Sequence, residues 1–171
     1  MKNIKNENKM IILTHNNHFY LNVKYPFNRC YNKASFFRLV SIGEKTVINE
    51  IASSKEDFNT SYQALWKELI FLYDNESASE EMLLNPMRRI VETYTKFNTM
   101  DHNIFCEKVT GAMKLFNVNS HSIDDLESDL CGKSKIEIVN IFYQCFQEND
   151  AIEHFNSYWP EYSLVSMTEE R

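Results

Sequence analysis

Two β-rich runs, Ser35-Phe36-Phe37-Arg38-Leu39-Val40-Ser41-Ile42 and Thr46-Val47-Ile48-Asn49-Glu50-Ile51, flank Gly43-Glu44-Lys45 and are followed by the polar stretch Ser53-Ser54-Lys55-Glu56-Asp57. The first two read as a β-hairpin closed by a short glycine-containing loop. The third reads as a linker, and from it to the C-terminus the apolar period becomes helical. This switch predicts a mainly α protein with a small N-terminal β element, an α+β class, with residues 1–52 and 53–171 as the two parts.

Helix signals after the linker are dense. Thr60-Ser61-Tyr62-Gln63 has the spacing of a capping box, and Tyr62, Leu65, Trp66, Leu69 and Tyr73 fall on one face of the helix it opens. Glu76 to Glu81 reads as an acidic loop, and Asn85-Pro86 as an N-cap with proline at the first helical position. The following helix carries Met87, Ile90, Val91 and Tyr94 along one stripe and Arg88, Glu92 and Lys96 on another face. A third helix is expected over Ile104 to Phe116, a fourth over Ile136 to Phe146 opened by the start signal Ser134 to Glu137, and a last one from Asp150 to Trp159, before Pro160.

Before the hairpin, Met10-Ile11-Ile12-Leu13-Thr14 reads as a strand delivering His15 and Asn16 at its carboxyl edge, where open α/β sheets present polar groups to ligands. A short helix over Asn16 to Val23 would follow it. A histidine at a strand end also has a plainer role, satisfied by a neighbouring carbonyl. The chain has three glycines, Gly43, Gly111 and Gly132, each isolated, so neither a Walker A loop nor a dinucleotide fingerprint can be built from them. This polypeptide alone is therefore expected to cradle no triphosphate cofactor.

Composition narrows the classes further. A net charge of −6 argues against a broad nucleic-acid-coating surface and confines any RNA contact to a local site. Cys30, Cys106, Cys131 and Cys145 are too dispersed for CxxC metal knuckles, so no metal site is expected. The N-terminus offers neither a signal peptide nor an 18-residue apolar run, which makes a reducing cytoplasm the default location and gives no membrane partner.

Ile12-Leu13-Thr14-His15-Asn16 resembles the switch-histidine strand of ABC-type and SMC-like ATPases, in which that histidine senses the terminal phosphate. The likeness continues through Ser61-Tyr62-Gln63-Ala64-Leu65-Trp66, Asn85-Pro86-Met87-Arg88-Arg89-Ile90-Val91-Glu92 and Ser120-His121-Ser122-Ile123-Asp124-Asp125. In that order, from about Met10 to about Trp159, these resemble the C-terminal portion of AAA-domain proteins that include bacterial anticodon nucleases. The resemblance implies the last strands of an ATPase α/β head followed by a helical bundle. It implies His15 and Asn16 as nucleotide-sensing residues and Arg88, Glu92 and His121 as catalytic residues. It also implies tRNA as substrate in bacterial or phage defence, with no cofactor held by this chain alone and ATP and Mg shared with a partner at most.

Spacing gives a separate physical case for two of these residues. Arg88 and Glu92 stand at i and i+4, so both project from one helix face and can meet one substrate group. RNA cleavage through the ribose 2′-OH needs a base, an acid and a cation for the crowded phosphate; Glu92 and His121 would share the first two roles and Arg88 would fill the third. The plainer reading of Arg88 and Glu92 is an exposed helix pair contributing about 0.3–0.5 kcal/mol. For His121 it is a capped turn with Ser120, Ser122 and Asp124. Arg89 reads as solvent-facing or phosphate-positioning, His154 as structural, and His102, beside Asp101 in a loop, receives no role.

Two alternatives stand beside the nuclease. One is a non-catalytic helical module that docks on a separate ATPase chain, or pairs as a homodimer. The other is an inactive truncated remnant whose unpaired strand edge would favour aggregation or dimers.

Overall fold

The computed structural model describes residues 10–25, 34–116 and 132–162, and the change of period near residue 52 governs its architecture. β1 (Phe36–Ile42) and β2 (Lys45–Ile51) pair antiparallel from Phe36↔Ile51 to Ile42↔Lys45. Because Lys45 already pairs with Ile42, the loop is the two residues Gly43-Glu44 rather than three. Gly43 supplies the positive φ of 58° that this tight connection requires. Ile42 and Ile51 are buried, Val40 and Val47 pack on the same core, and Phe37, Leu39 and Ile48 face outward, exposed.

The strand expected at Met10–Thr14 is not formed among the described residues: their one sheet is the β1–β2 hairpin, and Met10 to Leu13 are exposed. A strand exists through a neighbour's hydrogen bonds, and an apolar β-branched run has no register without one. α1 (Asn17–Lys24) follows, capped by Asn16, whose side chain accepts from Phe19 N at 3.1 Å. Its last turn is pinned to the linker. Tyr20 OH donates to Asp57 Oδ1 at 3.0 Å, while Lys24 Nζ reaches Asp57 Oδ2 at 2.8 Å and Phe58 O at 2.7 Å.

α2 (Ser61–Asp74) starts at Thr60, whose hydroxyl accepts from Gln63 N at 3.1 Å. The return half of the expected capping box is displaced by one residue, because Gln63 Oε1 accepts from Asn59 N instead. α3 (Glu80–Phe97) begins well before Asn85-Pro86: the acidic loop contributes Glu80 and Glu81 as its first turn, where carboxylates favour the helix N-terminus. Pro86 therefore lies inside the helix, a placement that costs about 3 kcal/mol in isolation. Burial of Leu83, Leu84, Pro86 and Met87 together offsets that cost, since each buried aliphatic side chain contributes roughly 1.5–3 kcal/mol.

The single helix expected over Ile104 to Phe116 is two. Asp101 caps α4 (His102–Glu107) by accepting from Asn103 N and Ile104 N, and a turn ending in Gly111 at φ 86° redirects the chain into α5 (Ala112–Phe116). α6 (Lys135–Gln147) opens with the expected capping box, Ser134 with Glu137. α7 (Ile152–Tyr158) ends before Trp159, ahead of Pro160.

The core joins α2, α3, α6 and α7 through rings. Trp66 lies 5.6 Å from Phe142, 5.9 Å from Phe146 and 5.3 Å from Phe155, and stacks on Tyr158 at 5.2 Å. His154 is set into this group, parallel to Phe146 and with Nε2 2.9 Å from Tyr62 OH. Burial holds its imidazole below the ordinary value of 6.5. The unfolded chain therefore binds the proton first as pH falls, so His154 contributes stability that is complete above 6.5 and lost toward its lower folded value. Urea melts are expected to show stability falling on acidification through that window, with a shallower fall in His154→Gln.

Candidate functional site

α3 places Arg88 and Glu92 one turn apart on the side turned toward α4 and α5. The short helix α5 ends here, and the final carbonyls of a helix have no partner within it. Two side chains supply them. Arg88 Nε donates to Leu115 O at 2.7 Å, and His102 Nε2 donates to Phe116 O at 2.9 Å. A carbonyl accepts only, so Nε2 of His102 carries a hydrogen. Glu92 Oε1 accepts from Lys96 Nζ at 2.5 Å, and the Glu92 carboxylate is close enough to favour the charged form of His102.

His102 also meets Cys106, one turn later on α4, with Sγ 4.0 Å from Nε2. Its pKa is raised. The hydrogen-bond contact with Cys106 is the largest cause, opposed by partial burial and reinforced by the Cys106 charge, the Phe116 carbonyl and Glu92. The described residues thus gather a guanidinium, a carboxylate and an imidazole around the carbonyl end of α5. That set can neutralise a phosphate and move a proton.

The expected catalytic residues fall as follows. Arg88 is half-buried and Glu92 is partly exposed on the same rim; His121, five positions beyond Phe116, lies outside the described residues. Arg89 points elsewhere: it is exposed and acts electrostatically on Glu68 of α2. His15 is exposed, and Asn16 serves as the cap of α1. His102 and Cys106 are the residues that sequence reasoning passed over. The readable signal was Asp101 as a helix cap, which converts a supposed loop histidine into the first residue of a helix with cysteine one turn on.

A separate cleft of about 230 Å³ lies between the linker, α2 and α7, lined by Lys55, Asp57, Gln63, Trp66, Lys67 and Tyr158 among others. It contains none of the rim residues. No group of three or more His, Cys, Asp and Glu among the described residues could hold a metal ion. No described helix is long and apolar enough to cross a membrane.

A family model described as an AAA domain matches residues 1–147. The chain belongs to the AAA-domain family. The match runs from before α1 to the last residue of α6, so it takes in the whole rim, His15 and His121. No curated protein and no solved structure matches the chain. Within this AAA-type, ATPase-like chain, the three glycines occupy the hairpin turn, the α4–α5 turn and the turn before α6. None leads from a strand into a helix N-terminus, so these three glycines form no glycine-rich phosphate loop.

The raised pKa of His102 has a measurable sign. Its contribution to stability is complete below the ordinary 6.5 and lost as pH rises through the folded value. Imidazole NMR should find His102 titrating above 6.5 in the wild type and lower in Cys106→Ala, which removes the largest cause; an unchanged titration would contradict the contact.

Proposed function

We propose that this AAA-domain chain is of the anticodon-nuclease type and cleaves RNA, with tRNA as the substrate and defence as the setting. The observation that carries the reading is the placement of Arg88 and Glu92 side by side at the carbonyl end of α5, the end from which the chain runs on to His121. A cation and a carboxylate on one rigid helix face meet the first requirement of the chemistry, which is fixed geometry toward a single phosphate.

In this reading Glu92 and His121 divide the two proton transfers. One takes the proton from the ribose 2′-OH as its oxygen attacks phosphorus. The other protonates the departing 5′-oxygen, leaving a 2′,3′-cyclic phosphate. Arg88 offsets the charge that builds on the phosphoryl oxygens. Base, acid and cation all come from side chains, so cleavage is expected to persist in EDTA.

The test is incubation of the purified chain with a tRNA pool. Glu92→Gln and His121→Ala should each lower the cleavage rate by about 10²–10⁴-fold with unchanged thermal melting. Wild-type protein that cuts no RNA, or variants that cut equally well, would refute the proposal. Arg88→Ala is read beside a melting curve, because its guanidinium also holds Leu115.

The outer face of the hairpin favours a second reading. Phe37, Leu39 and Ile48 are more than half exposed on one sheet face, and Met10, Ile11 and Leu13 are more exposed still. Such apolar surface marks an interaction site, and the occupant it suits is the nucleotide-binding part of an AAA-type head on a separate chain. Co-expression with an AAA-type chain carrying a phosphate-binding loop should yield a complex that Leu39→Asp and Ile48→Asp weaken. A lone monomer in size-exclusion chromatography, with no complex on co-expression, would remove this reading.

A further inference from the structure

The packing of α4 against the end of α6 joins two thiols that stand 39 positions apart in sequence. Asn149, just past α6, donates through Nδ2 to Phe105 O at 2.9 Å and to Cys145 O at 2.8 Å, so one side-chain amide ties the two backbones. Beside it, the rings of Phe105 and Phe146 meet edge to face at 5.3 Å. This clamp places the neighbouring residue of α4, Cys106, beside Cys145, and both side chains are fully buried.

The two sulfurs are not equivalent. Cys106 Sγ lies 4.0 Å from Nε2 of His102, which also donates to Phe116 O, whereas Cys145 sits in the apolar core. The contact with Cys145, opposed by burial and aided by His102, pulls the Cys106 thiol down, whereas the contact with Cys106 and burial push Cys145 up. The charged groups of α3 on this side are Arg88 and Glu92, and Glu92 adds to the upward shift of His102.

We propose that Cys106 and Cys145 are an oxidant-sensitive thiol pair in which Cys106 reacts first as thiolate, Cys145 resolves it, and His102 is the positioning residue. The oxidant is a small peroxide, with hydrogen peroxide as the probe. The Cys106 thiolate attacks one peroxide oxygen, the O–O bond breaks, and Cys106 becomes a sulfenic acid; the departing hydroxide takes a proton from His102 and leaves as water. Cys145 sulfur then attacks Cys106 sulfur, the S–O bond breaks, and the released hydroxide takes the Cys145 proton as a second water. Two thiols are oxidised to one disulfide and one peroxide is reduced to two waters. Because the sulfur is buried, the proposal requires a local opening that admits a molecule as small as peroxide. This proposal does not depend on the RNA-cleavage reading.

Peroxide treatment followed by non-reducing peptide mass spectrometry should give a Cys106–Cys145 linked peptide. In Cys145→Ser, dimedone should instead trap a sulfenic acid at Cys106. His102→Gln should slow alkylation of Cys106 by iodoacetamide at pH 7 by about tenfold and move its pH profile upward, read beside a melting curve because His102 also holds the Phe116 carbonyl. The proposal is overturned if the linked peptide is absent, if either cysteine pairs with Cys30 or Cys131 instead, or if His102→Gln leaves the rate and pH profile of Cys106 unchanged.

Discussion

Trp66 is the contact on which the rest of the molecule depends. Its indole, 1% exposed, is enclosed by Phe142 and Phe146 of α6 and by Phe155 and Tyr158 of α7. An aromatic side chain of this size buries roughly 150–250 Å², and ring pairs add about 0.5–1.5 kcal/mol each beyond area. Through this contact α2 is fixed to the C-terminal helices. α2 in turn packs along α3, whose opposite side carries Arg88 and Glu92. The geometry of the rim is thus inherited from a core that contains none of its residues.

The same core explains why two histidines on neighbouring surfaces behave oppositely. His154 is held among rings and loses hydration without gaining a charge partner, so the neutral form wins. His102 lies at the border of the core, where a sulfur, a carbonyl and a carboxylate all favour the cation over the cost of partial burial. Nothing in the immediate sequence, Met100-Asp101-His102 or Glu153-His154-Phe155, distinguishes them. What decides is which helix end or ring cluster the fold brings to each.

Legibility followed the same line between local and non-local causes. The hairpin, the capping box at Ser134 and the faces of α2 and α3 were readable because spacing alone determines them. Pro86 misled because a proline's local preference for a helix start was outweighed by the burial of Leu83 and Leu84 before it. The run Ile104 to Phe116 misled because apolar periodicity continues across the turn at Gly111, and a change of axis leaves no mark on a list of apolar positions. Arg88 and Glu92 were singled out by the family resemblance, and their i,i+4 interval already put them on one helix face. Their convergence with His102 and Cys106 was not legible, since it depends on α5 ending between them.

That ending also determines what the rim residues do at rest. Leu115 and Phe116 are the last carbonyls of a five-residue helix, and leaving either buried acceptor unpaired costs roughly 1–3 kcal/mol. Arg88 and His102 meet that need, each as a donor that a helix C-terminus favours in its cationic form. Two of the three charges at the rim are therefore part of the fold before they are part of any chemistry, and removing either disturbs α5 as well as the site. Glu92 differs, because its carboxylate pairs with the exposed Lys96 on the same helix, an interaction of about 0.3–0.5 kcal/mol. A change at Glu92 that keeps its shape and removes its charge separates chemistry from architecture more cleanly than any change at Arg88 or His102.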